Sequence, residues 1–172
     1  MRKYKFRKYS KNYPLLFEKE RTRIKKYIPN LVVDHIGSTS VENLGGKGII
    51  DVLICVPKED LKKIGDFLSD LGYKLSKTGG NKERIFLKKN FGFLKKNKFH
   101  IQLTFEGSKT HKEAIKFRNK LKNSKELREK YALKKQEAVK LRMQGKEYRE
   151  FKNKFIQEVL RKWKTQKYTK NS

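Results

Sequence analysis

The apolar run Ile49–Val56, IIDVLICV, carries a single carboxylate, that of Asp51. Its length and its β-branched residues predict a buried central β-strand. Burying an ionised carboxylate is costly unless a charge partner, hydrogen bonds or a metal ion satisfy it. By strand alternation, Asp51 shares one face of the strand with Leu53 and Cys55. The run therefore requires a sheet that satisfies this carboxylate, either in a functional site or through backbone donors of the glycine-rich turn before it.

A turn suited to anions precedes this strand. A predicted strand at residues 31–36 ends at Gly37, and Ser38 and Thr39 then open a short predicted helix that reaches about Leu44. Free backbone N–H groups at a helix start, together with hydroxyl donors, favour a phosphate group. The same Gly-Ser-Thr pattern is also an ordinary helix N-cap. Because the turn leads directly toward the strand carboxylate, we favour the functional interpretation of both features.

Residues 1–107 predict a mixture of helices and strands. One helix begins near Pro14 and ends at Pro29-Asn30, and a second helix covers residues 58–71. Three shorter strands follow the second helix, at residues 73–78, 83–89 and 98–105. The last two strands are joined by a basic and aromatic loop, NFGFLKKNK.

From residue 108 onward the pattern is helical. Thr110 with Glu113, and Asn123 with Glu126, have the spacing of a capping box. Gly145 separates the second and third helices of this part. The last helix carries an apolar stripe that we assign to the core, formed by Tyr148, Phe151, Phe155, Ile156, Val159, Leu160 and Trp163.

This order of elements predicts an α+β, or mixed α/β, fold. We expect a mixed sheet of about four to five strands packed by helices, followed by a set of about three C-terminal helices. The length fits a single domain over residues 1–172, with a basic N-terminal arm at about residues 1–12 and a frayed tail at residues 165–172.

The chain is strongly basic, with 46 Lys and Arg against 18 Asp and Glu and a net charge of +28. The excess lies mainly in residues 1–30 and 108–172, which favours a polyanion such as RNA as a partner. A lysine-rich surface that contacts only solvent is the alternative. No apolar run approaches a membrane span, the N-terminus does not read as a secretory signal, and Cys55 is the only cysteine. We therefore expect a cytoplasmic protein, and the sequence leaves its oligomeric state open.

The segment HIGSTSVENLGGKGIIDVLICV resembles the GrpB family, whose members typically read HIGST-A-V-P-G-L-x-x-K-P-I-I-D. Further family motifs are similar to ERIFLKK, FHIQLTFEGS, IKFRNKLKNSKELREKYALKK and FIQEVLRKW, so that the resemblance extends from about Tyr13 to Trp163. It implies a nucleotidyltransferase-like fold of the DNA polymerase β type. In that superfamily a Gly-Ser turn holds the phosphates of a nucleotide, and strand carboxylates hold divalent metal.

The resemblance also implies a set of site residues. Asp51 and His100 are the expected catalytic pair and the ligands of a Mg²⁺ or Mn²⁺ ion, with His35 as either a further ligand or a packed strand residue. Contacts to a nucleoside triphosphate are expected from Gly37, Ser38, Thr39, Lys47, Arg84, Gln102 and Arg118. Lys47 is alternatively a structural partner of the strand carboxylate.

The sequence departs from the superfamily pattern at Leu53, which stands where a second metal-binding carboxylate is expected. Two functions therefore remain open. One is metal-dependent nucleotidyl transfer, with RNA or another polyanion as acceptor, and Leu53→Asp is then expected to improve it. The other is a non-catalytic nucleotide- or RNA-binding module on a degenerate nucleotidyltransferase scaffold.

Overall fold

The computed structural model describes the backbone of residues 4–91 and 97–168 and the side chains of residues 4–91 and 98–162. Its strands are β1 (Val32–Ile36), β2 (Ile49–Val56), β3 (Lys74–Leu75), β4 (Arg84–Phe91) and β5 (Asn97–Phe105). Its helices are α1 (Asn12–Lys25), α2 (Leu61–Asp70), α3 (Lys109–Asn123), α4 (Lys125–Lys140) and α5 (Gly145–Tyr168). One mixed sheet followed by three C-terminal helices confirms the predicted fold class.

The five strands are ordered β1-β2-β5-β4-β3. Strands β2 and β5 are parallel, and the other neighbouring pairs are antiparallel. The parallel pair sets Asp51 opposite His100 and Leu53 opposite Gln102. The carboxylate strand therefore lies inside the sheet, beside the strand that carries the two polar residues of the FHIQLTFEGS motif.

The two faces of the sheet bury different parts of the chain. One face holds the largest apolar cluster, in which Ile50, Val52 and Ile54 of β2 pack with residues of α1 and α2. On the opposite face Leu53 and the neighbouring apolar residues Ile36 and Cys55 pack against Ala114 and Ile115 of α3. A third cluster joins α3, α4 and α5 and includes Leu160, Phe155, Ile156 and Val159. These residues of the predicted α5 stripe are thus core residues, and the side chain of Trp163 lies outside the described residues.

Several elements are shorter than the sequence predicts. The expected helix from Ser38 to Leu44 is only a 3-10 turn, Ser38–Ser40, because Val41 is already extended and Asn43 has a positive φ of 61°. The strand expected at residues 73–78 is reduced to β3. The predicted helix 58–71 begins as a separate 3-10 turn, Lys58–Asp60, before α2.

The caps of two helices also differ from the prediction. Ser108 caps α3 by accepting a hydrogen bond from the backbone N–H of His111, and Ser124 caps α4 by accepting one from Leu127. The capping boxes predicted at Thr110 and Asn123 are therefore wrong by one or two residues. Both serines precede their helix directly and satisfy an N–H group that would otherwise lack an acceptor.

The ends of the chain contain more order than expected in two places. Residues of the predicted basic arm pair with the glycine-rich turn, since Arg7 and Gly46 exchange two backbone hydrogen bonds of 2.7 and 2.9 Å. Helix α5 continues to Tyr168, inside the segment predicted to fray, and residues 169–172 lie outside the described part. Most of the predicted basic loop, residues 92–96, is also outside it. Within the described ranges, none of the helices combines the length and apolar character needed to cross a membrane.

A buried charge network fixes α1 to the sheet. Glu20 is only 7% exposed and accepts hydrogen bonds from Arg23, at 2.6 and 3.0 Å, and from the hydroxyl of Tyr73. Nearby on the same helix, Glu18 forms an exposed ion pair with Arg21 at 3.1 Å. The two pairs have the same sequence spacing and differ chiefly in burial.

Glu20→Ala is expected to destabilise the protein by about 3 kcal/mol, because it leaves a guanidinium and a phenol without their shared acceptor. The matched change Glu18→Ala should cost less than about 1 kcal/mol, since its ion pair is solvated. Denaturant unfolding followed by circular dichroism measures both. Equal losses for the two variants would show that the buried network does not anchor α1.

Candidate functional site

A cavity of about 980 Å³ lies over the polar end of β2, between the sheet and helices α4 and α5. The residues of β2, β4 and β5 that face it alternate with residues of the main apolar cluster, so strand pleating alone presents them on one surface. A second cavity of about 410 Å³ adjoins it, and both are lined by Gly37, Asp51, Arg84, Gln102 and Lys152. The two cavities together form a depression with Asp51 near its centre.

Asp51 and His100 face each other across the parallel strands. The distance from Nδ1 of His100 to Oδ1 of Asp51 is 3.7 Å, which is too long for a hydrogen bond. Burial raises the pKa of Asp51 to about 6, although nearby lysines oppose this shift. Burial also lowers the pKa of His100 to about 3, and the lysines Lys88 and Lys98 lower it further. At neutral pH the pair is therefore an ionised carboxylate beside a neutral imidazole.

Gly37 allows the carboxylate to sit on the phosphate-type turn. Its φ of 72° and ψ of −169° lie in a region that only glycine readily adopts. A methyl group at this position would overlap Oδ2 of Asp51 and lie 3.0 Å from its Cγ. A side chain at Gly46 would overlap the Oγ of Ser38. Gly37 thus brings backbone and carboxylate into contact at the mouth of the turn.

Three lysines from separate parts of the chain converge on the same cavity. The ammonium of Lys47 lies between two aromatic faces, 3.2 Å from the ring centroid of Tyr4 and 3.3 Å from that of Tyr148. Lys135 of α4 is 4% exposed and donates a hydrogen bond to the carbonyl of Gly45. Lys152 of α5 lines both cavities.

Burial is the main cause of the altered pKa values of these lysines. It lowers the pKa of Lys47 and of Lys135 to about 7, and in both cases the charge of Lys152 adds to the effect while Asp51 opposes it. Burial likewise lowers the pKa of Lys152. The charged form of each lysine is therefore less stable in the cavity than in water, and an anionic ligand would stabilise all three.

The lining of the larger cavity has a strong excess of positive charge. Among the described residues that line it, Asp51 is the only carboxylate. The cations that line it include Lys47, Arg84, Lys88, Lys98, Lys135 and Lys152. Arg84 donates hydrogen bonds to Oε1 of Gln102 and to the carbonyl of Gly79, both at 2.9 Å, and its buried Nε has no partner among the described residues. Such a surface is complementary to a ligand with several negative charges.

Most of the residues expected in the site do line this cavity, namely Gly37, Ser38, Lys47, Asp51, Arg84, His100 and Gln102. Arg118 reaches only the smaller cavity. It is held there by hydrogen bonds to Oδ1 of Asp34 at 2.8 Å and to the carbonyl of His35 at 3.1 Å. Its guanidinium therefore already has acceptors in β1.

The side chains of His35 and Thr39 do not line the cavity, and His35 is packed in its strand, which is one of the two alternatives that the sequence left open. His35 pairs with Val52 and so lies on the opposite face of the sheet from Asp51. It stacks on Phe17, with ring centroids 4.5 Å apart, and burial lowers its pKa to about 4. Its Nε2 lies 3.0 Å from Oγ1 of Thr39, whose hydroxyl donates to the carbonyl of Ile49. Both side chains serve to fix the turn.

Sequence reasoning missed Lys135, Lys152 and the aromatic pair around Lys47. One available signal was the position of Lys152, four residues after Tyr148 and three before Phe155, which places it on the apolar stripe of α5. A lysine in such a stripe requires a polar destination for its ammonium. No comparable signal marks Lys135 or Tyr4, because their roles depend on how distant segments pack.

The residues present do not fit the Mg²⁺ or Mn²⁺ site that the superfamily resemblance implies. The described residues contain no group of three or more His, Cys, Asp or Glu side chains able to hold a metal ion. Leu53 is fully buried in an apolar cluster, and the amide of Gln102 is bonded to Arg84. The remaining carboxylate and imidazole stand among lysines, whose charge opposes a divalent cation.

Comparison with known proteins identifies the family. The family model described as GrpB protein matches residues 3–162, and the chain belongs to the GrpB family. A UPF0157 protein of Vibrio cholerae is 29% identical over 164 residues, covering 93% of this chain and 82% of that protein. The crystal structure of the conserved protein GrpB from Enterococcus faecalis matches with a TM-score of 0.73 and 29% identity, over 92% of this chain and 99% of that chain.

More distant solved structures define the wider fold. The GLD-2/RNP-8 complex matches with a TM-score of 0.56 over 76% of this chain and 55% of that chain. The Cid1 poly(U) polymerase matches with a TM-score of 0.54 over 76% of this chain and 42% of that chain. Both are 15% identical to this chain, so the likeness concerns the fold alone. The fold is nucleotidyltransferase-like, as predicted.

Proposed function

We propose that the protein binds the phosphate groups of a nucleoside triphosphate in the cavity above Asp51. The observation that carries this proposal is that Asp51 is the single carboxylate, among many cations, in the described lining of the larger cavity. A triphosphate has charge enough to stabilise several of those cations at once. The depression also lies beside the Gly37-Ser38 turn, where the superfamily resemblance implies nucleotide phosphates.

Aromatic side chains at the cavity favour a nucleoside over a simple polyphosphate. Phe86 of β4 lines the cavity, with its ring centroid 5.2 Å from that of His100. Tyr4 and Tyr148 line another part of the wall. Because Tyr4 and Tyr148 already enclose Lys47, a base would stack on Phe86 while its phosphates contact the lysines.

A second candidate function is nucleotidyl transfer to an acceptor such as RNA. The observation that favours it is Asp51, which faces the cavity with a pKa raised to about 6. A carboxylate with a pKa near the working pH is suited to take a proton from an acceptor hydroxyl. The basic helices that follow residue 108 would then contact the acceptor. The poly(U) polymerase likeness adds only the fold to this candidate.

Asp51→Asn separates the two functions. It removes the single carboxylate charge from the described lining of the larger cavity, so we expect nucleoside triphosphate affinity to stay the same or to rise by about tenfold, as measured by titration calorimetry. Transfer of label from α-³²P nucleotides into RNA should disappear in this variant if Asp51 is catalytic. Asp66→Asn, in an exposed ion pair on α2, is the matched control and should change neither measurement.

The results of calorimetry and labelling together distinguish a binding module from a transferase. Binding without transfer in the wild type would establish a binding module. Labelled product that is lost only in Asp51→Asn would establish the transferase. If the wild type binds none of the four nucleoside triphosphates, the proposed function is wrong.

A further inference from the structure

We propose that this cavity holds its triphosphate by direct contact with lysine ammonium groups, without a bridging divalent cation. This inference rests on the proposed nucleotide binding and adds how the phosphates are held. The ligand class is a nucleoside triphosphate in its metal-free form, which carries more negative charge than the magnesium complex.

A hard divalent cation needs several strong ligands, and the facing positions of β2 and β5 offer few. Of the four facing positions on β2 and β5, Leu53 is apolar and fully buried, and Gln102 has its oxygen occupied by Arg84. His100 offers a nitrogen ligand and pairs across the sheet with Lys88. Asp51 alone remains as a strong ligand for a hard cation, which prefers several oxygens.

Lysine ammonium groups lie around that carboxylate. Lys47, Lys135 and Lys152 come from the glycine-rich turn, α4 and α5, and all three line the cavity with Asp51. Within the described part of the chain, Lys47 contacts the rings of Tyr4 and Tyr148, and Lys135 contacts the ring of Tyr131 and the carbonyl of Gly45. Ammonium groups that are buried, as in Lys135, or partly buried, as in Lys47 and Lys152, are costly when they share a single carboxylate, and phosphate oxygens would offset that cost.

Contacts within the fold hold these lysines in position at the cavity. Lys47 is confined by Tyr4 on one side and Tyr148 on the other. Lys135 is fixed by the Gly45 carbonyl and lies 4.5 Å from the ring centroid of Tyr131. Side chains already held at the cavity lose little conformational entropy when a ligand binds, which favours affinity. A divalent cation in the same space would add positive charge to a surface that already has an excess.

The test is titration calorimetry of the full chain with ATP, once with EDTA and once with excess Mg²⁺. We expect affinity in EDTA to equal or exceed that in Mg²⁺ by up to about tenfold, because the free triphosphate carries more charge. Binding that requires Mg²⁺ would overturn this inference and leave the proposed nucleotide binding intact. An absence of ATP binding in both buffers would overturn the proposed function, and this inference with it.

A pair of substitutions on α5 tests the role of the lysines. Lys152→Met should weaken ATP binding in EDTA by about tenfold or more, since it removes a partly buried ammonium from the cavity. Lys154→Met changes an exposed residue on the same helix and should stay within about twofold of wild type. Lys152→Arg retains a positive charge and should bind more tightly than Lys152→Met. Equal ATP affinity for Lys152→Met and Lys154→Met, with both proteins folded by circular dichroism, would contradict the inference.

Discussion

Leu53→Asp is expected to destabilise the protein by about 4 kcal/mol or more, instead of completing a metal-binding pair. Leu53 is fully buried and packs against Ile36 and Cys55 of the sheet and against Ala114 and Ile115 of α3. A carboxylate at this position would lose its hydration among these apolar side chains. Its strand neighbours Asp34 and Gln102 are already engaged by Arg118 and Arg84. Because a domain of this size is stable by only about 5–15 kcal/mol, the variant should be either marginally stable or largely unfolded.

Denaturant unfolding at several pH values measures this effect. Burial should raise the folded-state pKa of the new carboxyl above its unfolded value of about 4. The loss of stability should therefore be complete above that raised pKa and shrink as the pH falls through it toward 4. Leu53→Met conserves volume and should cost less than about 1.5 kcal/mol at every pH. A Leu53→Asp protein as stable as wild type that gains Mg²⁺-dependent transfer would instead restore the expectation of a metal-dependent enzyme.

This expected loss of stability is the opposite of the gain in transfer that the sequence predicts for Leu53→Asp. The run Ile49–Val56 predicted β2 with its exact ends, and alternation correctly put Asp51 and Leu53 on one face. The sequence did not show that α3 covers this face at Leu53 and leaves it open at Asp51. Where a helix crosses a sheet depends on long-range packing, which periodicity in a single segment does not report.

In the rest of the candidate site, too, local sequence predicted some residues, and long-range packing determines the others. Gly37, Ser38 and Asp51 lie within one short segment, where local chemistry marks a turn and a buried charge. Lys135 and Lys152 are distant in sequence and sit in helices whose composition is lysine-rich throughout. Lys152 stands out only by its place in the apolar stripe of α5, and the docking of α4 over the sheet is what distinguishes Lys135 from a solvated lysine. Composition therefore predicted a polyanion partner but not which lysines meet it.

Gly37→Ala is the second change with a large expected effect, about 3 kcal/mol of lost stability. Backbone strain at φ 72° and ψ −169° contributes about 1–3 kcal/mol, because L-residues rarely adopt this conformation. The added methyl group also overlaps Oδ2 of Asp51 and approaches its Cγ at 3.0 Å. The carboxylate must move, so the variant should also change nucleotide affinity, as measured by the same calorimetric titration.

Gly107→Ala separates the two contributions, since Gly107 has a similar φ of 77° and no atom within 4 Å of an added methyl group. It should cost about 1–2 kcal/mol, the backbone penalty alone, and should leave nucleotide affinity unchanged. The double variant Gly37→Ala/Asp51→Ala then completes a mutant cycle. If the steric contact with Asp51 matters, the double variant should be more stable than the sum of the single changes predicts.

Simple additivity in that cycle, together with equal costs for Gly37→Ala and Gly107→Ala, would mean that the turn yields without disturbing the carboxylate. A positive coupling would mean that the glycine conformation and the position of Asp51 depend on each other. The Gly-Ser turn would then hold Asp51, the only carboxylate among the described residues that line the larger cavity, at a fixed place among the lysines. That fixed charge would limit where phosphate oxygens can bind, and the turn would act on ligand position as well as on stability.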